Sequence, residues 1–313
     1  MTSLLKRVVC NPDLDGLTVV PQWIPHHLCL SHSFIMHSLK LLVIHLLFFV
    51  VSSTASPFEL IRRSTENQLE PRQNSPGKKR HCSEKEKNDY EVIPNTDYIV
   101  FNMMYNKDQI RGSVCTIYKG LQGNTLQWGS EWNMPKATNP DTVKGYSFIG
   151  LTIEGREHQL SQITGIPATY TWNFNTQDFK GNVVFDFMTG PKKGDSKTPG
   201  QAQELMLWLT WRNNQVPIGF AAGKKATLNI YGKTWSMYQG KNKDTGITVT
   251  SLLADQQYSG SFSGNMKDWL LALANQAKLF PPDTTWLNVA NCGVEPFWGV
   301  VNMDLSIDMK VNA

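Results

Sequence analysis

Gln203-Glu204-Leu205-Met206-Leu207-Trp208-Leu209 is the stretch on which the fold class turns. In an extended strand successive side chains point to opposite faces. Glu204, Met206 and Trp208 therefore share one face, and Leu205, Leu207 and Leu209 the other. Such a strand suits one layer of a sandwich: its leucines pack between two sheets while Glu204 looks into a groove. Val184-Phe185-Asp186-Phe187-Met188 repeats the pattern, with Asp186 opposite Phe185 and Phe187. From Tyr98 onward, short segments rich in Val, Ile, Thr, Tyr, Phe and Trp are punctuated by Gln122-Gly123-Asn124, Asn139-Pro140-Asp141, Gly190-Pro191, Ser259-Gly260 and Ser263-Gly264. Many short strands with regular turn signals predict an all-β sandwich of two antiparallel sheets. One stretch differs. After Asn265, Trp269, Leu270, Leu273 and Ala277 fall at helical spacing, with Asn265 as cap and Pro281-Pro282 as stop, so one short α-helix is expected there.

The N-terminal part reads as targeting and processing sequence. From Met36, a short start with Lys40 leads into an apolar run from Leu41 to Val51, then small residues ending at Ala55. That is the form of a secretory signal peptide over residues 36–55, in a run too short to span a bilayer. Residues 1–35 lie upstream of it, which is explained if translation starts at Met36. Residues 56–80 are polar and basic, end in Lys78-Lys79-Arg80, and read as a linker or pro-segment. Residues 81–313 are then the mature domain, a size typical of one all-β unit.

Composition narrows the function. The chain of 313 residues carries a formal charge of +4, with 41% hydrophobic and 18% charged residues. A soluble globular protein is implied, with no basic stripe of the kind that binds nucleic acid or acidic lipid. Trp, Tyr and Phe are spread along the chain, and exposed aromatic faces stack on sugar rings as readily as buried ones fill a core. Past residue 56 only Cys82, Cys115 and Cys292 remain, without CxxC spacing, so no structural zinc or thioredoxin-like centre is supported. Secretion makes a Cys82–Cys115 disulfide the expected pairing and leaves Cys292 as a small buried hydrophobe. His26, His27, His32, His37 and His45 all precede residue 56, leaving His81 and His158. Carboxylates are what remain for acid–base chemistry: Asp186, Glu204, and Glu295 in Gly293-Val294-Glu295-Pro296-Phe297-Trp298-Gly299, whose aromatic neighbours would partly dehydrate it and raise its pKa.

ELMLW at 204–208 resembles the E-aliphatic-M-aliphatic-W signature of glycoside hydrolase family 12, in which the Glu is the nucleophile. GVEPFWG at 293–299 resembles that family's G-T-E-P-F-x-G motif, in which the Glu is the acid/base. FDFMT at 185–189 is similar to the strand whose Asp is bonded to the nucleophile. YIVFN at 98–102, Trp128 with Trp132, Ile166-Pro167 and Pro217-Ile218 match further family positions, so the resemblance spans residues 82–313. It implies a β-jelly-roll with a concave substrate cleft. It also implies endo-acting, configuration-retaining hydrolysis of β-1,4-glucan or xyloglucan by Glu204, Glu295 and Asp186, without metal or cofactor. Asn102, Tyr105, Trp128, Trp132, Met206, Trp208 and Phe297 are the substrate-binding residues expected on the same grounds, in a secreted monomer whose partner is the polysaccharide.

This chain departs from the family pattern at several points. Met103 and Tyr105 stand where the N-N-L-W-N motif has a polar residue and a stacking Trp; Met134 stands for a cleft Trp; Val294 and Trp298 replace Thr and a small residue. The EPF form leans toward xyloglucan, with plain endo-β-1,4-glucanase as the alternative. A glucan binder that has lost turnover is the reading from another class; the intact Asp186, Glu204 and Glu295 argue against it.

Overall fold

The computed structural model describes residues 79–82, 89–106, 108, 111–153 and 156–313. The upstream segment (1–35), the signal peptide (36–55) and nearly all of the linker expected over 56–80 lie outside the described residues. In chain order the strands are β1 (Lys79–His81), β2 (Asp89–Val92), β3 (Tyr98–Met103), β4 (Ser113–Gln122), β5 (Thr125–Met134), β6 (Tyr146–Leu151), β7 (His158–Gln159), β8 (Pro167–Phe174), β9 (Phe179–Gly190), β10 (Gln203–Arg212), β11 (Ala226–Ile230), β12 (Lys233–Lys241), β13 (Thr248–Ala254), β14 (Ser261–Asn265) and β15 (Trp286–Met309). The helix α1 spans Met266–Asn275.

Two layers follow from the pairing. One runs β2-β3-β6-β15-β9-β10-β13-β12-β11 and the other β1-β4-β5-β15-β8-β14. The long strand β15 belongs to both: it pairs with β9 from Trp286 to Gly299, then with β5 from Gly299 and with β8 from Met303. The changeover falls at a register break between Pro296 and Trp298 and at Gly299, where φ is +125°. A Cβ there would lie 2.6 Å from that of Phe179, so glycine permits both the dihedral and the approach.

The expected antiparallel order needs one correction. β10 and β13 are parallel, with Glu204 beside Val249 and Met206 beside Ser251. The chain leaves β10, builds β11 and β12 further out, and returns as β13 between β10 and β12, antiparallel to β12 and parallel to β10.

Between the layers sit Leu205, Leu207 and Leu209 of β10, Phe185 and Phe187 of β9, and Trp128, Tyr170, Trp235 and Trp269 from around them. The three leucines are fully buried, each worth about 1.5–3 kcal/mol relative to exposure. Helix α1 starts where Asn265 Oδ1 accepts from Lys267 N at 3.2 Å and from Ile166 N at 2.7 Å. It buries Met266, Trp269, Leu270 and Leu273, with the Trp269 ring 5.2 Å from that of Phe187. It ends at Asn275, so Ala277 lies past it, and Lys278 adopts a left-handed φ of 56° before Pro281.

The last two residues of the expected linker are among those described. Lys79 and Arg80 pair with Tyr118 and Ile117 as part of β1, and Cys82 is bonded to Cys115. His81 is fully buried, with Nδ1 2.9 Å from Asp89 and Nε2 3.3 Å from Glu91. Two of the three residues of the basic cluster 78–80 are thus strand rather than linker.

Candidate active site

The face of the nine-strand layer turned away from the core carries the acids. In β9, Val183, Phe185 and Phe187 enter the inter-layer core, so Asn182, Val184, Asp186 and Met188 point the other way. In β10 the leucines face inward and Glu204, Met206 and Trp208 outward. In β15, Ala290, Cys292 and Val294 face inward, leaving Asn291, Gly293 and Glu295 outward.

Register then fixes neighbours. Asp186 stands between Met206 on one side and Asn291 on the other, and Glu204 is its diagonal neighbour, two residues along β10. Such diagonal pairs lie within reach of long side chains. Glu295 stands opposite Asn182. All three acids line one pocket of about 680 Å³, with Tyr146, Met206 and Trp208.

The electrostatics follow from burial and crowding. Burial first, then the negative Glu295, pushes the Glu204 carboxyl up to about 7. Burial pushes Glu295 up to about 7 as well, partly offset by a hydrogen bond from Asn182. Asp186, the most enclosed at 8% exposed, is raised well above the usual carboxylate range by burial and then by Glu204 and Glu295. Three acids this close do not all ionise at once, and they titrate as a unit. The deepest keeps its proton longest, which leaves negative charge to the two glutamates. Asp186 Oδ1 is buried without a hydrogen-bond partner, so no bond to Glu204 runs through that atom.

Glu295 is gripped at two points. Asn182 Nδ2 donates to its carboxylate, and Asn182 Oδ1 accepts from its backbone N at 3.1 Å. Sequence reading missed Asn182, although it sits on the same strand face as Asp186. It also missed Tyr146. The Tyr146 hydroxyl and the Trp208 indole N–H are buried, have no hydrogen-bond partner and line the pocket, which leaves both available to a ligand's hydroxyl groups. Burial, then Asp186, holds the Tyr146 hydroxyl protonated far above its ordinary range.

Of the expected binding residues, Tyr105, Met206, Trp208 and Phe297 line the pocket, as does Met103. Asn102, Trp128 and Trp132 do not. Strand parity turns Ile99, Phe101 and Met103 toward the site and Asn102 away, where its Nδ2 donates to Val114 O at 3.2 Å. Trp128, Trp132 and Met134 belong to β5 of the other layer, whose inward face is the core. They pack in the core, and Met134 does not line the pocket.

The family model described as Glycosyl hydrolase family 12 matches residues 96–310. The chain is 31% identical over 204 residues to the xyloglucan-specific endo-beta-1,4-glucanase A of Aspergillus niger, covering 65% of this chain and 80% of that one. Its fold is similar to that of endoglucanase 3 of Trichoderma harzianum, at 21% identity with a TM-score of 0.65 over 77% of this chain and 100% of that one. It is also similar to the family 12 xyloglucanase of Bacillus licheniformis, at 22% identity with a TM-score of 0.60 over 75% and 100%.

Proposed function

The chain belongs to glycosyl hydrolase family 12, and on that premise we propose that it is a secreted, configuration-retaining endo-β-1,4-glucanase whose preferred backbone is that of xyloglucan. Hydrolysis of β-1,4-glucan is the activity its family and relatives share; retention, secretion and the xyloglucan preference are the finer reading.

In the first step Glu204, ionised, attacks the anomeric carbon while protonated Glu295 gives its proton to the departing glycosidic oxygen. A glucosyl ester on Glu204 results. In the second step Glu295, now a carboxylate, takes a proton from water, the water oxygen attacks the same carbon, and Glu204 leaves as carboxylate. Asp186 keeps its own proton through its burial, which limits the negative charge that Glu204 must share. Tyr146 and Trp208 offer donors to sugar hydroxyls, while Met103 and Met206 give an apolar wall.

The observation that carries this reading is the convergence of Glu204 and Glu295, from different strands, on one pocket in which both are pushed up to about 7. Two carboxyls both titrating near neutrality and close together share a proton there, one ionised as nucleophile while the other keeps its proton as acid. The Cys82–Cys115 disulfide supports an oxidising destination. The test is reducing-sugar release from xyloglucan, carboxymethyl-cellulose and mixed-linkage glucan side by side, with Glu204→Gln as control. Release chiefly from xyloglucan, absent in Glu204→Gln, is expected. Equal release from the unbranched glucans would replace the preference by a general endoglucanase, and activity retained in Glu204→Gln would overturn the assignment.

A further inference from the structure

Two loops meet at the pocket that have no reason to meet in a flat sheet. Tyr105 lies just past the end of β3, and Asp244 lies in the turn between β12 and β13. β6, β15, β9, β10 and β13 stand between β3 and β12. At a spacing of 4.7–4.9 Å per strand, the two would be roughly 29 Å apart in a flat layer. Yet the Tyr105 hydroxyl donates to Asp244 Oδ2, and both residues line the pocket that holds Glu204 and Glu295. The layer therefore curls until loops from its two sides touch across the site.

Both partners are held in place. In the turn, Asn242 Oδ1 accepts from Asp244 N at 2.9 Å and from Thr245 N at 3.3 Å, while Asn242 N donates to Ile247 O at 2.9 Å and Gly246 N donates to Asn242 O at 2.8 Å. On the other side, Asn106 Nδ2 donates to Val143 O at 2.9 Å, fixing the loop that carries Tyr105. The bond between them is surface-exposed. Two anchored loops joined through the Tyr105 hydroxyl, which meets Asp244 and also the Asn242 side chain of the same turn, make an exposed polar contact that a bound chain can break at a modest cost.

We infer that the Tyr105–Asp244 contact is a clasp that sets the length of glucan the pocket accepts. A short oligosaccharide fits beside it, whereas a polymer running through the site must displace it. This inference rests on the glucan reading above and deepens it with two specificity-determining residues.

The test compares affinities for polymeric xyloglucan and for cellotetraose, measured by calorimetry, in the full chain and in Tyr105→Phe, Asp244→Ala, the double variant and Asp244→Asn. Tyr105→Phe keeps the ring and loses the donor; Asp244→Asn keeps an acceptor. The expected result is a polymer-to-oligosaccharide affinity ratio raised about fivefold in Tyr105→Phe and in Asp244→Ala, as loss of one hydrogen bond implies. The double variant should rise no further, and Asp244→Asn should stay near the parent. An unchanged ratio in both single variants, or fully additive effects, would overturn the clasp. Because the readout is binding, it stands even if turnover proves absent; binding of neither glucan would sink the clasp and the glucan reading together. Hydrolysis assays on the same two probes separate those cases, since turnover with an unmoved ratio leaves the enzyme standing without its clasp.

Discussion

Replacing Asn182 by Ala removes the donor that holds the Glu295 carboxylate and leaves the rest of the acid cluster in place. That hydrogen bond opposes the upward push of burial on Glu295, whose carboxyl even so stands at about 7. A hydrogen bond to a charged group is worth about 1.5–3 kcal/mol, and at 1.36 kcal/mol per pH unit its loss lifts the Glu295 pKa by roughly one to two units. In a double displacement the alkaline limb of the pH profile reports the group that must be protonated, here Glu295. The limb should therefore move upward in Asn182→Ala, measured as kcat/KM against pH on a soluble glucan, with the acid limb less affected. The variant also strips the acceptor from the Glu295 backbone N, so a loss of about 1–3 kcal/mol in stability accompanies it. An alkaline limb that stays put or moves down in a folded variant would refute the assignment of Asn182, and with it the account of how Glu295 is tuned.

Three further outcomes follow from the same structure. Glu204 and Glu295 hold protons in the folded state that an unfolded chain releases, so stability should fall as pH rises from about 4.5 toward 7 and level off above. Each contributes on the order of 3 kcal/mol and the coupled pair less than twice that, and Glu204→Gln should flatten the curve and raise Tm above pH 7, as thermal unfolding across pH would show. Cys115→Ser frees a bridge 33 residues long and should cost about 4 kcal/mol by loop-closure entropy, seen as a lowered denaturation midpoint, whereas equal stability would remove the disulfide from the account. Glu295→Gln should slow polysaccharide far more than aryl glycosides with good leaving groups, because only the former need the proton; equal losses on both would contradict its role.

Strand parity was legible where a single strand carries its own contrast. Glu204, followed by leucines at 205, 207 and 209, and Asp186 between phenylalanines declare their faces without help, and both faces are as read. Asn265 before Met266 likewise announced a helix start, because a cap and an apolar stripe are local signals. Asn102 was expected from the family resemblance, and the strand itself offered no check: Ile99, Val100 and Phe101 are all buried and apolar because both sides of β3 are packed, leaving no alternation to read. Trp128 and Trp132, also expected from the resemblance, lie in the core for a reason outside any short window: which layer β5 joins is decided by the far end of β15, a long-range pairing. The Tyr105–Asp244 contact spans 139 positions and depends on how far the layer curls, so it too was beyond the sequence. The parallel pair β10–β13 was hidden by the same kind of excursion.

The account turns on Glu204 as the residue that bonds to sugar. Incubation with an activated 2-deoxy-2-fluoro cello-oligosaccharide, which slows breakdown of the glycosyl ester, followed by mass analysis of the intact protein and its peptides, reads this directly. A single added glycosyl group on the peptide carrying Glu204, absent in Glu204→Gln, is the predicted result. A label on another carboxylate, or catalysis with inversion and no label, would contradict it.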